Sequence, residues 1–224
     1  MSKPDLARKL AAEAMGSAIL VATVVGSGIM AAKLAGGNSA IALLGNTIPT
    51  GAMLVVLITI LGPISGAHFN PAVSFIFTLR KDLSWSTLLQ YTVAQVIGAC
   101  FGAILANVMF DLTPIEIGTT IRSSYGQWIS EMVATFALIG AILGGLRFAP
   151  QAIPLLVGLT ITAAYWFTAS TSFANPAVTI ARALSDSFAG IAPSSVLPFI
   201  AAQLFGSLIG LYYWGWLFGN GLKK

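Results

Sequence analysis

The chain has 224 residues, of which 57% are hydrophobic and only 8% charged, with a formal net charge of +4. Soluble domains carry roughly 25% charged residues, so this composition excludes an ordinary soluble globule and points to a membrane protein. The bases lie at the ends of apolar segments and never interleave with aromatics, which excludes a nucleic-acid groove. The single cysteine, Cys100, lies in an apolar stretch and reads as a small buried filler, so there is no disulfide framework.

A helix needs about 20 apolar residues to cross a hydrocarbon core about 30 Å thick. Six segments qualify, at approximately 10–33, 40–62, 84–110, 128–146, 152–168 and 194–219. The first follows a positive start, outlasts a signal-peptide core and lacks a clear cleavage site, so it reads as a span. Between the second and third segments lies "HFNPAVSFIFTLRKD", and between the fifth and sixth "SFANPAVTIARALSD". Asn is a strong N-cap and Pro suits the first helical position, so Asn70 and Asn175 are predicted helix starts. About ten helix-compatible residues follow each, a rise of about 15 Å, which is half a bilayer. Both are predicted to be re-entrant half-helices, preceded by irregular backbone at 62–68 and 167–173. At that depth such backbone is tolerated only inside protein or along a watery cavity.

The halves repeat. "AQVIGACFG" at 94–102 answers "AQLFGSLIG" at 202–210, and "AEAMGS" at 12–17 answers "SEMVAT" at 130–135, pairing Glu13 with Glu131. Three spans per half is an odd number, so the second half is inverted. The predicted fold is an all-α membrane protein, with six transmembrane helices and two re-entrant half-helices in an inverted repeat. The first repeat covers 1–112, a polar connecting loop 113–127, and the second repeat 128–224. The two half-helix starts then meet near the bilayer midplane, where Asn amides and loop carbonyls can replace a small solute's water hydrogen bonds. Two positive helix ends there repel cations. With residue 1 cytoplasmic, Lys3, Arg8, Lys9, Arg80, Lys81, Arg147, Lys223 and Lys224 lie inside, leaving Lys33, Arg122 and Arg182 outside, as the positive-inside rule favours.

"SGAHFNPAV" at 65–73 and "FANPAV" at 173–178, with a Glu near the start of each half, resemble the aquaporin and aquaglyceroporin family, also called major intrinsic proteins. The resemblance covers essentially the whole chain. It implies passive flow through a homotetramer with one pore per subunit, in a lipid bilayer and without a cofactor. The motif residues are Asn70, Pro71, Ala72, Asn175, Pro176 and Ala177, with Gly66, Ala67, His68, Thr171 and Phe173 lining the pore. Family spacing carries the selectivity filter onto Thr50, Ala163, Ser172 and Val178. Members usually place Arg where Val178 stands, and water-specific ones add an aromatic and a His. Four small uncharged residues imply a wider, less polar constriction, suited to glycerol, urea, water, neutral trivalent metalloid hydroxides such as arsenite, and methylated arsenicals. The Arg-less filter is similar to that of bacterial aquaglyceroporin-like channels associated with arsenic handling, which implies a multi-pass protein of the inner membrane. A water-selective aquaporin is the alternative.

Arg182 has two readings: a cation in the outer vestibule, or an ion pair with Asp186 four residues on, the latter preferred. His68, the only histidine, is either a hydrogen-bonded pore-wall residue or a pH-responsive gate. Glu13 and Glu131 are structural buried acids accepting from re-entrant-loop N–H groups, a role Gln95 and Gln203 share; as ion carriers they would instead mark a secondary transporter. Trp214 and Trp216 suit an interfacial belt. A junction protein with a vestigial pore is a third class. No metal-ligand or phosphate-loop spacing occurs, and the lone His lacks a plausible nucleophile partner, so no enzyme reading survives.

Overall fold

The computed structural model describes residues 5–222. Lys3, Lys223 and Lys224, which enter the charge-asymmetry argument, lie outside the described residues. The described chain forms α1 (Leu6–Leu34), α2 (Ser39–Ser65), α3 (Pro71–Leu79), α4 (Trp85–Met109), α5 (Tyr125–Phe148), α6 (Ile153–Phe167), α7 (Pro176–Arg182) and α8 (Pro193–Phe218). A single 3-10 turn, Pro150–Ala152, leads into α6, and no strand occurs among the described residues. Six of the helices, counting that turn with α6, are long and apolar enough to cross a membrane. The all-helical class and the six spans agree with the sequence expectation.

Local chemistry sets the boundaries. Asp5, Asn38, Ser84 and Ser124 cap α1, α2, α4 and α5 with side-chain oxygens that accept from first-turn N–H groups. α2 outruns the predicted 62: it continues through Pro63 to Ser65 and stops only where Gly66 takes φ +91. That left-handed value costs glycine nothing, and it releases the chain into the first irregular loop. Irregular backbone is therefore confined to 66–70 in the first half and 168–175 in the second.

The repeated packing follows from the repeated sequence. α1 packs on α2 and α4, and α5 packs on α6 and α8. The matched glycines make this possible: a Cβ on Gly98 would lie 2.0 Å from the Ala14 carbonyl oxygen, and one on Gly102 2.1 Å from that of Ala18. In the second half a Cβ on Gly206 would lie 2.3 Å from the Met132 carbonyl oxygen. Backbone-to-backbone approach of this kind is how helices gain contact where lipid gives no hydrophobic drive. On the other side of α4, Trp85, Leu89, Val93, Ile97 and Phe101 recur every fourth residue and are all exposed, an apolar stripe suited to acyl chains.

The two short helices tie the halves together. α3 and α7 both pack against α4 and α8, and they touch each other. Cys100 is half-buried against the core, so it is less enclosed than a filler would be. The tryptophans also divide. Trp216 is exposed, whereas Trp214 turns inward: its Nε1 donates to the Phe136 carbonyl at 3.0 Å and its ring stacks on Phe218. Trp214 is thus corrected from interfacial anchor to packing residue, because the bare Cα of Gly140 gives its indole a place between α5 and α8.

Candidate pore

Asn70 and Asn175 adopt nearly the same backbone, φ −155 and −157, and each caps its half-helix. Asn70 Oδ1 accepts from the Ala72 N–H at 2.9 Å. Asn175 Oδ1 accepts from Ala177 and Val178 N–H at 3.0 and 3.3 Å. The proline after each Asn has no N–H to satisfy, so the sequence Asn-Pro-Ala starts a helix with few orphan donors. The other end of each amide reaches across the repeat. Asn70 Nδ2 donates to the Ala174 carbonyl and Asn175 Nδ2 to the Phe69 carbonyl, both at 2.8 Å. The reciprocal pair fixes the half-helices start to start and leaves each amide one further N–H. Both asparagines line the central cavity.

The loops leading to these caps are strained. Ala67, Phe69, Thr171, Ser172 and Ala174 all have φ between +47 and +61. A left-handed residue with a Cβ costs about 1–2 kcal/mol, so something must hold each loop. The buried acids do. Glu13 accepts from the His68 and Phe69 N–H groups at 2.9 and 2.7 Å and from Ser65 Oγ at 2.6 Å. Glu131 accepts from Phe173 and Ala174 N–H at 2.9 and 2.8 Å. Both acids are fully buried and neither lines the cavity. The expected role of the glutamines needs correcting: they donate to the acids rather than accepting from the loops. Gln95 Nε2 bonds Glu13 and Ser74, and Gln203 Nε2 bonds Glu131 and Thr179, because the carboxylates already occupy the loop donors.

The cavity between the halves has a volume of about 220 Å³. Leu20, Val24, Leu54, Leu138, Ile142 and Val157 form an apolar wall, and the segments 66–70 and 172–175 add backbone polar groups. At one end Gly66, His68, Phe77 and Leu146 also line a second cavity of about 590 Å³, so the two adjoin. Lys9, Arg80 and Arg147 surround that vestibule. His68 sits at the junction, its Nδ1 3.0 Å from Ser74 Oγ and its ring between Phe77 and Tyr91. Ser74 Oγ already accepts from Gln95, so its own hydrogen is free for Nδ1, which favours the tautomer protonated on Nε2.

The chain also matches known proteins. The family model described as Major intrinsic protein matches residues 1–172, a stretch that includes the first Asn-Pro-Ala and stops just short of the second. The chain belongs to the major intrinsic protein family. It is 54% identical over 217 residues to "Aquaglyceroporin AqpS" of Rhizobium meliloti (strain 1021), covering 97% of this chain and 93% of that one. It is 32% identical over 161 residues to "Probable aquaporin NIP4-2" of Arabidopsis thaliana, covering 70% of this chain but only 56% of the plant protein. The crystal structure of the aquaglyceroporin from Plasmodium falciparum shares the fold at TM-score 0.69 and 20% identity, over 94% of this chain and 96% of that one. Aquaglyceroporins of this family are passive channels and not enzymes, and the chain is a multi-pass membrane channel protein.

Within this major intrinsic protein the expected pore residues divide. Gly66, Ala67, His68, Thr50, Ser172, Phe173, Val178 and Arg182 line the cavity, while Pro71, Ala72, Pro176 and Ala177 are buried beside it. Ala163 does not line it. It is exposed on the opposite face of α6, where Val157, Ile161 and Tyr165 point inward at four-residue spacing. Counting back from Asn175 crosses eight irregular residues, which carry no helical phase, so the count lands on the wrong side of α6. The α6 contribution is therefore bulky, which corrects the expectation of four small filter residues. The 157, 161, 165 periodicity was the signal that would have found it. Thr171 is also displaced from the cavity; its N–H turns back to the Thr168 carbonyl at 3.3 Å.

The Arg182–Asp186 ion pair does not form. α7 ends at Arg182, so the helical spacing that would bring position 186 back to it is lost. Asp186 Oδ1 accepts instead from the Thr119 N–H and hydroxyl, both at 2.9 Å, on the connecting loop. Arg182 Nε donates to the Ala189 carbonyl, and its guanidinium lies 3.4 Å from the Phe173 ring centroid. Arg122, absent from the sequence-based site, approaches the same ring at 5.2 Å. Burial holds the Arg122 guanidinium below its ordinary pKa range, partly countered by Glu131.

Proposed function

We propose that the chain conducts small neutral solutes through the central cavity: glycerol, urea, water and neutral trivalent metalloid hydroxides such as arsenite, with methylated arsenicals in the same class. The supporting observation is Val178, an apolar residue on the cavity wall where family members usually place Arg. Combined with the apolar wall and the backbone groups of 66–70 and 172–175, it offers a lining on which a carbon-bearing solute can rest its apolar side while its hydroxyls exchange hydrogen bonds. Names of relatives support the class: the 54% identical protein is called an aquaglyceroporin, and a 29% identical one of Bacillus subtilis (strain 168) is called "Glycerol uptake facilitator protein". The channel works as a homotetramer in a bacterial cytoplasmic membrane with both termini inside. The gathering of Lys9, Arg80 and Arg147 around one vestibule supports that orientation.

Val178→Arg tests the reading. In proteoliposomes of the full chain, this substitution is expected to cut glycerol, urea and arsenite flux about tenfold or more while water flux falls by less than about threefold, since pore width and lining charge set selectivity. Equal loss of all solutes, or no loss of any, would remove Val178 from the constriction.

A further inference from the structure

We propose that Arg182 is the residue that bars cations from this pore, so that solute width is set at Val178 and charge is rejected one helical turn beyond it. The inference deepens the proposed channel reading and rests on the central cavity being the conducting path.

Arg182 is the only side chain with a permanent charge on the cavity wall among the described residues. It is 1% exposed, and its Nη1 is buried with no hydrogen-bond partner. No carboxylate makes direct contact with it: the one side-chain ion pair among the described residues joins Arg80 to Asp82, Asp186 is bound to Thr119, and Glu131, which acts on the guanidinium from a distance, spends its oxygens on the Phe173 and Ala174 N–H groups and on Gln203. A buried guanidinium ordinarily keeps a counter-ion, because an unpaired charge at low dielectric is costly. Here the groups holding it are neutral, namely the Ala189 carbonyl and the face of Phe173. They fix the side chain without cancelling its field. A full positive charge therefore stands at the wall of a narrow cavity, where screening by water is weak.

The setting also explains how the charge coexists with the apolar wall at Val178. Phe173 lies before Asn175, and its ring is braced edge-on by Phe199 at 5.3 Å. Docked on that ring, Arg182 is held to the side of the channel instead of projecting from position 178. The loop 184–192 completes the clamp, since Phe188 and Gly190 carbonyls hold Arg122 at 3.5 and 3.0 Å just as Ala189 holds Arg182. Arg122 does not line the cavity, which makes it a natural control.

The test uses the full chain in proteoliposomes, with glycerol-driven swelling and potassium efflux measured on the same vesicles. Arg182→Gln and Arg182→Met, the second preserving length and contact with Phe173, are expected to raise potassium efflux about tenfold or more over wild type while still carrying glycerol. Arg182→Lys keeps the charge and stays tight to potassium, as does Arg122→Gln. Two results would overturn the proposal: potassium exclusion unchanged in the Gln and Met variants while they carry glycerol, or failure of both to reconstitute when the Lys variant succeeds, which would assign the charge to folding. A wild type that carries no glycerol would instead defeat the solute assignment, while the potassium comparison would still judge Arg182.

Discussion

Gly98→Ala yields a channel with lowered thermal stability in detergent and greatly reduced flux of every solute. The added Cβ would lie 2.0 Å from the Ala14 carbonyl oxygen and 2.7 and 2.9 Å from the Ala14 carbonyl carbon and Cα, all backbone. No rotamer change relieves a clash with backbone, so α1 and α4 must part. Overpacking typically costs about 1–3 kcal/mol, and this site stands at the top of that range because only whole-helix movement absorbs it. The damage spreads to the pore, since Glu13, next to Ala14, holds the loop that ends at Asn70. Gly206→Ala is expected to repeat the effect in the second half through Met132. Gly62→Ala, with open space around its Cβ, supplies the comparison and should stay within about 0.5 kcal/mol of wild type. A Gly98→Ala protein with wild-type melting behaviour would refute the close-approach account.

Glu131→Ala is the second large effect. Three donors lose their acceptor at once: the Phe173 and Ala174 N–H groups and Gln203 Nε2. Each buried orphan costs about 1–3 kcal/mol, so the sum, on the order of 3–9 kcal/mol, is comparable with the whole stability of many domains. Little monodisperse protein is expected from size-exclusion chromatography in detergent. Glu131→Gln keeps the shape and one good acceptor, and should recover part of the folded yield. An ion-coupled transporter makes the opposite forecast, a well-folded Gln variant that has lost only its driving-ion dependence. The burial of both acids away from the cavity argues against that rival.

What was legible in the sequence was whatever a local rule encodes. Six spans follow from apolar length, and the starts at Asn70 and Asn175 follow from capping chemistry. Ser172 and Val178 reach the cavity because each lies three residues from Asn175, which already faces it; Thr50 reaches it too, although the count to it crosses the shorter irregular stretch 66–70. Ala163 fails because irregular backbone intervenes and rotational phase is lost. Asp186 fails for the complementary reason: the helix assumed to carry it back to Arg182 had already ended. Arg122 was invisible because its approach to Phe173 depends on how a long loop folds over the end of α7, where Gly118 N–H reaches the Ala183 carbonyl.

The crossed amide bonds at the centre of the molecule impose an order on its synthesis. Asn70 finds its acceptor 104 residues further along the chain, and Phe69 offers a carbonyl to a donor 106 residues further along. At a ribosomal rate of about 5–20 residues per second, the first half-helix waits some 5–20 seconds for the carbonyl that completes it. During that interval Asn70 Nδ2 and the Phe69 carbonyl lack these partners and must be sheltered by water or by the insertion machinery. The nascent first half is therefore a vulnerable intermediate, and a slowed second half would prolong its exposure.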